Sequence, residues 1–347
     1  MRKISSPHII GGMFGLEVQQ AKQATRPSIL DNKPIYLVNA RSAIWLLIKK
    51  LQPKHVWMPS YLCHSMTIAA EHAGACICYY PVDEHLKVRH EDWLKKLIPG
   101  DLVFLIDYFG FPFDKNICSI IHQSGAWVVE DASQAFLTKT AGIFSDFAIF
   151  SPRKFVGVPD GGLLLNNVAV HLLNDQELSE PPAEWWLKSF HASVLRRDFD
   201  MGLDNREWFT LFRETEPAAP IGSFKMSDFS RVVLERNINY QEVASRRRDN
   251  YLALSQDLGD FALFPDLDAD TVPVGFPVCT RNRSHILESL YREEIFPPVH
   301  WPLSGVVPEV FSDSHNLSLE IMTLPCDQRC TFYDLDRMIN LFLKVVK

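Results

Sequence analysis

Two predicted strands in the first half of the chain end in residues that could do chemistry together. The apolar run 126–129 leads into Glu130 and Asp131, and the apolar run 148–150 leads through Ser-Pro-Arg to Lys154. In a parallel α/β sheet the carboxyl ends of the strands share one edge, where ligands bind. A buried carboxylate there needs a cationic partner, and a lysine becomes a nucleophile when burial and a nearby cation lower its pKa. Taken together, the two strand ends indicate a reactive site that uses Asp131 and Lys154.

Each of these residues also has a structural interpretation. Asp131 begins the sequence Asp-Ala-Ser-Gln, in which an aspartate commonly caps a helix or closes a turn. A single lysine after a strand is usually solvated. The separation of 23 positions leaves room for a strand pair and its connections, so the spacing alone leaves both interpretations open.

The elements that must position these residues alternate in type through the first half. Further strands are predicted at 55–58, 75–80, 101–107 and 162–165, and Ala40–Leu51 has the apolar spacing of an amphipathic helix. Continuous apolar strands separated by helices are typical of a parallel sheet covered on both faces. We therefore predict an α/β fold with a mostly parallel sheet.

The second half follows a different order. A long helical pattern runs over 227–257, and shorter ones over 284–292 and 333–346. Residues 170–220, which are rich in Trp and Phe, show no pattern that assigns them to elements. This order predicts a smaller α+β part after the α/β part.

These observations give a predicted division of the chain. The segment 1–25 contains the glycine-rich stretch 11–15 and is interpreted as a flexible arm that could lie on a partner subunit. Residues 26–225 form the expected large α/β domain, and residues 226–347 form the small C-terminal α+β domain.

Composition and charge argue against several classes of protein. The chain has 35 Lys and Arg against 42 Asp and Glu, a net charge of −7, so it lacks the basic excess of a nucleic-acid binder. No apolar window approaches the ~18 residues of a membrane span, and no signal peptide is recognised. The seven Cys and twelve His show no metal-site spacing. We expect a cytoplasmic protein with reduced thiols, which binds no metal, nucleic acid or membrane.

Several motifs resemble the DegT/DnrJ/StrS family of pyridoxal phosphate (PLP) dependent sugar aminotransferases. VEDASQA at 129–135 resembles that family's VEDAAQA, and PRKF at 152–155 followed by DGG at 160–162 resembles PTKN…EGG. Four weaker matches keep the family's order along the chain: NARSAI at 39–44 with SGTAAL, MPSY at 58–61 with VPSYT, IFPPVHWP at 295–302 with GI…VHYP, and LPC at 324–326 with LPI.

The resemblance implies the type I fold of PLP enzymes, with a large seven-stranded sheet, a small C-terminal domain and a homodimeric assembly. By the resemblance, Lys154 would hold pyridoxal 5'-phosphate as a Schiff base, the internal aldimine. Asp131 would pair with the pyridinium nitrogen, which keeps the ring an electron acceptor. Gln134 would lie against the ring's phenolic oxygen.

The resemblance also implies how the phosphate would be bound. Backbone amides at Ala40, Arg41 and Ser42 begin the first helix, and helix N-termini favour anions. The Arg41 side chain either adds a charge-assisted bond to the phosphate or points to solvent. Ile149 stands where the family has a phosphate-binding serine, and Ser151 is the expected substitute.

Other family positions depart further from the pattern. Tyr61 or His64, or a phenylalanine elsewhere, would cover the cofactor ring, and Lys225 would reach the phosphate of the neighbouring subunit. The pair His300-Trp301 either reaches the mouth of the site or packs in the interior. These departures leave the cofactor expectation in place and the substrate undecided.

The implied reaction moves an amino group from an amino-acid donor, by family habit glutamate, to a keto-sugar attached to a nucleotide. Related sugar dehydratases carry His where this chain has Lys154, which favours transamination. Three alternatives remain. One is a type I PLP enzyme acting on amino acids, which a carboxylate-binding arginine would favour. Another is an α/β nucleotide-binding protein without PLP. The third is a non-catalytic binding protein, supported only by the altered positions Ile149, Cys63 and Ser223.

Overall fold

The computed structural model describes residues 9–18, 24–89, 91–173 and 175–346. Its strands are β1 (Ile10–Gly11), β2 (Ile35–Leu37), β3 (Val56–Pro59), β4 (Ile77–Tyr80), β5 (Leu102–Ile106), β6 (Trp127–Asp131), β7 (Phe147–Phe150), β8 (Gly162–Asn166), β9 (Phe276–Cys279), β10 (Ile295–Phe296) and β11 (Ile321–Leu324). Its helices are α1 (Ser28–Asp31), α2 (Ala40–Leu51), α3 (His64–His72), α4 (Asn116–Gln123), α5 (Ala183–Asp200), α6 (Glu207–Thr215), α7 (Asp228–Arg236), α8 (Tyr240–Leu258), α9 (Arg283–Arg292), α10 (Ser312–Glu320) and α11 (Phe332–Val346).

A seven-stranded sheet forms the centre of the fold, in the order β2-β8-β7-β6-β5-β3-β4. The strands from β4 to β7 run parallel to their neighbours, whereas β8 pairs antiparallel with both β7 and β2. The predicted mostly parallel α/β sheet is therefore confirmed. Its carboxyl edge carries the ends of β5, β6 and β7 side by side.

Both faces of this sheet are covered. Along β7, Phe147 and Ile149 join one hydrophobic core and Ala148 and Phe150 join another, as expected because successive side chains of a strand point to opposite faces. All four are buried. This two-sided burial explains why the strands are apolar without interruption.

The long helical pattern over 227–257 is not one helix. The chain breaks between α7 and α8, and Asn239 starts α8 by accepting the Glu242 amide at 3.3 Å with its side-chain oxygen. Apolar spacing continues through the buried Ile238, so periodicity did not reveal the break. The segment without a sequence assignment, 170–220, contains α5 and α6.

Strands β9 and β11 form a separate antiparallel pair in the C-terminal part. They share a core with α8, α9 and α11, which includes Tyr251, Ile286, Met338 and Phe342. In the part of the chain that the structure describes, no helix is both long enough and apolar enough to cross a membrane.

The described arm residues 9–18 pack on their own chain. Strand β1 pairs parallel with β10, and the amides of Leu16 and Glu17 donate to the carbonyls of Ser193 and Gly157, both at 2.9 Å. A Cβ on Gly157 would lie 1.8 Å from a backbone oxygen of the arm. The described part of the arm is therefore held along 10–17 by its own chain, and its contact with a partner subunit stays a prediction. The arm's residues 1–8 and 19–23 lie outside the described residues.

Candidate active site

A pocket lies at the carboxyl edge of the sheet, between the ends of β5 and β6, the turn after β7 and the start of α2. Of the nine residues that the sequence singled out, six line it: Ala40, Arg41, Asp131, Gln134, Ser151 and Lys154. The structure thus brings the predicted lysine, carboxylate and amide to one cavity. Ser42, Tyr61 and Lys225 do not line it.

Lys154 lies on a tight turn, Pro152–Lys154, that directly follows β7. The turn is held from the C-terminal part of the chain. The buried Arg247 donates to the carbonyls of Lys154 and Phe155, each at 3.3 Å, and Gln328 donates to the Phe155 carbonyl at 2.7 Å. Because β7 and these hydrogen bonds together fix the backbone of the turn, the position of the Lys154 Cα is well defined.

Asp131 ends β6 and is 8% exposed. Its Oδ1 accepts the Ser133 amide at 3.0 Å, so the turn-closing interpretation is correct, and the same carboxylate also lines the pocket. Asp131 therefore closes a turn and also offers its carboxylate to the pocket.

The preceding acid, Glu130, serves the opposite face of the sheet. It accepts the Gly142 amide at 2.7 Å and the Ser145 hydroxyl at 3.0 Å. Burial, with the adjacent acid as a further cause, raises the pKa of Asp107 well above its usual value, and burial also raises the pKa of Glu130. Neither Asp107 nor Glu130 lines the pocket that contains Asp131.

Only one of the two polar atoms in the side-chain amide of Gln134 has a hydrogen-bond partner among the described residues. Its Oε1 accepts the Phe109 amide at 2.8 Å, whereas its buried Nε2 has no hydrogen-bond partner among the described residues. A buried donor without an acceptor is costly. An acceptor on a ligand in this pocket would remove that cost.

The start of α2 forms another wall. Asn39 caps the helix by accepting the Ser42 amide at 2.9 Å. The Ser42 side chain is fully buried and accepts the Gly222 amide at 3.3 Å, so it turns away from the pocket. Strand β8 approaches so closely that a Cβ on Gly162 would lie 2.2 Å from the Asn39 backbone carbon. Glycine is required there to seat the helix start against the sheet.

Arg41 lines the pocket and is paired rather than solvated. Its side chain is 12% exposed, and its Nη2 donates to the Glu216 carbonyl at 2.9 Å and lies 3.5 Å from that residue's Oε1. Its contact with a phosphate stays a prediction. Glu216 Oε2 also pairs with Arg153 Nη2 at 3.0 Å. Arg153 and Arg41 lower the pKa of Glu216, which keeps this carboxylate ionised.

The serine expected to replace the missing phosphate ligand lines the pocket, because Ser151 follows the end of β7. Ile149 is fully buried within that strand. Lys225 instead pairs with Glu180, their charged atoms 2.6 Å apart, outside the pocket of its own chain.

The aromatic residue on the pocket wall is Trp301. Tyr61 lies behind it, fully buried, with its ring centre 5.6 Å from that of Trp301 and its hydroxyl donating to the His300 carbonyl. His64 is exposed. Burial, with Lys154 as a second cause, lowers the pKa of His300 to about 3, so the imidazole is neutral. Among the described residues, Trp301 is thus the aromatic side chain that lines the pocket, and Tyr61 and His64 do not line it.

Ten of the sixteen residues that line the pocket were not predicted as site residues from the sequence, and the two charged residues and the tryptophan among them are the most informative. Arg153 carried a signal, because it stands next to Lys154, and Trp301 stood in a motif left undecided. Glu216 carried none, since it lies in the unassigned segment and 175 positions from Arg41.

The residues present fit a phosphorylated aromatic aldehyde such as PLP. The pocket supplies an amine on Lys154, a carboxylate on Asp131 and the unpartnered donor of Gln134. It also supplies the N-terminal end of α2, where backbone amides favour a phosphate. The unsatisfied Gln134 donor is the observation that most directly indicates a ligand.

Comparison with known proteins gives a family and a fold. A model of the DegT/DnrJ/EryC1/StrS aminotransferase family matches residues 38–342. A search of curated proteins found no match.

Solved structures of similar fold cover nearly the whole chain. The PLP form of Spr1654 from Streptococcus pneumoniae has a TM-score of 0.66 at 14% identity, covering 98% of this chain and 97% of its own. NtdA from Bacillus subtilis, solved with bound PMP, has a TM-score of 0.67 at 15% identity, covering 93% and 78%. DesI, solved with its TDP-sugar product, has a TM-score of 0.63 at 16% identity, covering 89% and 79%. The expected type I fold is confirmed.

Proposed function

The chain belongs to the DegT/DnrJ/EryC1/StrS aminotransferase family, a PLP-dependent family, and we propose that Lys154 is the residue to which it attaches its cofactor. The observation that carries this proposal is the single pocket lined by Lys154, Asp131 and the unpartnered amide of Gln134. When bound, PLP supplies an aldehyde that condenses with amines and a ring that accepts electrons from the adjacent carbon.

Each of these pocket residues then has a proposed role. The Lys154 amine would hold the cofactor and would also serve as the general acid and base that moves a proton at the substrate carbon. The Asp131 carboxylate would stabilise positive charge at the ring nitrogen. Gln134 Nε2 would donate to the ring oxygen, and the amides at Ala40 and Arg41 would hold the phosphate.

The proposed net reaction exchanges an amine for a carbonyl oxygen. An amino-acid donor, which we propose is glutamate, becomes the 2-oxo acid, and the carbonyl of a nucleotide-linked keto-sugar becomes an amine. Atoms and electrons balance without a further oxidant. The TDP-sugar product of the similar protein DesI supports the sugar class.

Three expectations from the sequence remain part of this proposal. They are a homodimer, a cytoplasmic location, and the division into 1–25, 26–225 and 226–347. The separate core around Tyr251 and Met338 supports a distinct C-terminal part, whereas Met226, Val233 and Leu234 pack with the central sheet, which supports a beginning of that part after 226.

The attachment of the cofactor can be tested directly. Protein mixed with PLP and reduced with borohydride is expected to carry the cofactor on the peptide that contains Lys154, as read by mass spectrometry. Lys154→Ala should lose this label, whereas Lys139→Ala, at a side chain that is 74% exposed, should keep it. A label that survives in the Lys154→Ala protein would refute the assignment.

A further inference from the structure

Two arginines share one carboxylate in the wall of the pocket. Glu216 Oε2 lies 3.0 Å from Arg153 Nη2, and its Oε1 lies 3.5 Å from Arg41 Nη2. All three residues line the same cavity as Lys154. The chain's own carboxylate therefore occupies a position where two cationic groups converge beside the reactive lysine.

The two cations are more deeply buried than the carboxylate between them. The Arg41 and Arg153 side chains are 12% and 19% exposed, whereas that of Glu216 is 44% exposed. Arg41 is also anchored by the backbone carbonyl of Glu216 at 2.9 Å, a contact that survives rotation of the Glu216 side chain. Its carboxylate can thus turn into solvent and leave the two guanidinium groups in place.

We propose that Arg41 and Arg153 form a subsite for the carboxylate of the amino-acid donor, and that Glu216 occupies it when no donor is bound. The assignment rests on the proposed function, because an amino acid carries its carboxylate one carbon away from its amine. A subsite for that carboxylate must therefore adjoin the group that handles the amine, and Arg153 is the neighbour of Lys154 on the same turn.

The group that the arginine pair holds favours a carboxylate over the cofactor's phosphate. Guanidinium groups bind both anions through paired hydrogen bonds, but the occupant in this structure is the Glu216 carboxylate. The amides at the start of α2 offer the phosphate a separate place. Binding of the phosphate by the arginines is the competing outcome of the test.

The test uses glutarate, a dicarboxylate without an amine, titrated calorimetrically into the PLP-loaded and the cofactor-free protein. Arg153→Gln should weaken glutarate binding at least about tenfold, because charge-assisted hydrogen bonds are lost, and Arg41→Gln should weaken it in the same direction. Glu216→Gln should tighten it about two- to fivefold, since a partly exposed competitor is removed. Arg281→Gln, at a side chain that is 94% exposed, is the matched control and should change nothing.

The double variant separates competition from a general change in charge. If Glu216 competes at the arginines, Glu216→Gln should have no effect on glutarate binding in the Arg153→Gln background. Tightening that persists there, or weakening of glutarate binding by Glu216→Gln alone, would overturn the proposal.

A second pair of titrations identifies the alternative ligand. If Arg153→Gln weakens binding of PLP but leaves pyridoxal and glutarate unaffected, the arginines serve the cofactor's phosphate and the donor subsite is refuted. Cofactor attachment is read separately by the borohydride label on Lys154, so failure of the proposed function and failure of the subsite give different results.

Discussion

Glu17 offers a measurable link between pH and the docking of the N-terminal arm. Its backbone amide donates to the Gly157 carbonyl at 2.9 Å, three positions beyond Lys154. Its buried Oε2 has no hydrogen-bond partner in the described parts of the chain. Burial raises the pKa of Glu17 from 4.5 to about 7, against the opposing effects of Arg329 and Arg247. We expect Glu17→Gln to stabilise the protein in alkaline solution.

The magnitude follows from the difference between the two pKa values. Because the folded protein holds this proton more tightly than the unfolded chain, ionisation destabilises the fold progressively as pH rises from 4.5 to about 7. Above that range the full penalty is about 3 kcal/mol. Between about pH 5 and about pH 8, the free energy of unfolding of Glu17→Gln should rise by about 2 kcal/mol relative to the wild type.

The assay is urea unfolding followed by tryptophan fluorescence at both pH values. Hydrogen exchange of the Leu16 and Glu17 amides then shows whether the effect begins in the arm. Glu184→Gln, at a side chain that is 88% exposed, removes the same charge and should show no such pH dependence. If the free energy of unfolding and the amide exchange rates differ between wild type and Glu17→Gln by the same amount at both pH values, ionisation of the buried Glu17 carboxyl does not destabilise the fold.

Two further predictions concern the surroundings of Lys154. Arg247→Met should lower the free energy of unfolding by about 3 kcal/mol, because the carbonyls of Lys154 and Phe155 lose a buried cationic donor; an unchanged urea midpoint would contradict this. His300, whose pKa is lowered from 6.5 to about 3, makes the fold lose stability as pH falls below 6.5, since the unfolded imidazole takes up the proton first. His300→Gln should therefore unfold with a flatter pH dependence between about pH 6 and about pH 4, and parallel curves would show that the imidazole is not held neutral.

The features that could be predicted from the sequence are those that depend on neighbouring residues, such as apolar runs and helical periodicity. Strands β3 and β5 to β8 were recognisable because two-sided burial makes each a continuous apolar run, and the edge strand β4 was recognisable because it is apolar although only partly buried. The joint position of Asp131 and Lys154 followed because the carboxyl ends of neighbouring parallel strands meet. The bounds of α2 followed from its periodicity.

The features that could not be predicted depend on contacts between distant segments. Arg41 has a sequence context that suits either a phosphate or solvent, and only the fold brings Glu216 to it across 175 positions. Trp301, rather than Tyr61, lines the pocket because the fold brings these two rings together across 240 positions, with Tyr61 fully buried. The break before α8 escaped detection because Ile238 fills a buried position in the interruption.

The pairing of β1 with β10 constrains the order in which the chain can complete its fold. Ile10 pairs with Ile295, 285 positions later, so an early-synthesised segment must wait for a late one before its hydrogen bonds can form. Contacts of such long sequence separation are slow to close because loop entropy opposes them. During synthesis, the central sheet can therefore assemble on the ribosome well before Ile10 and Gly11 pair with β10.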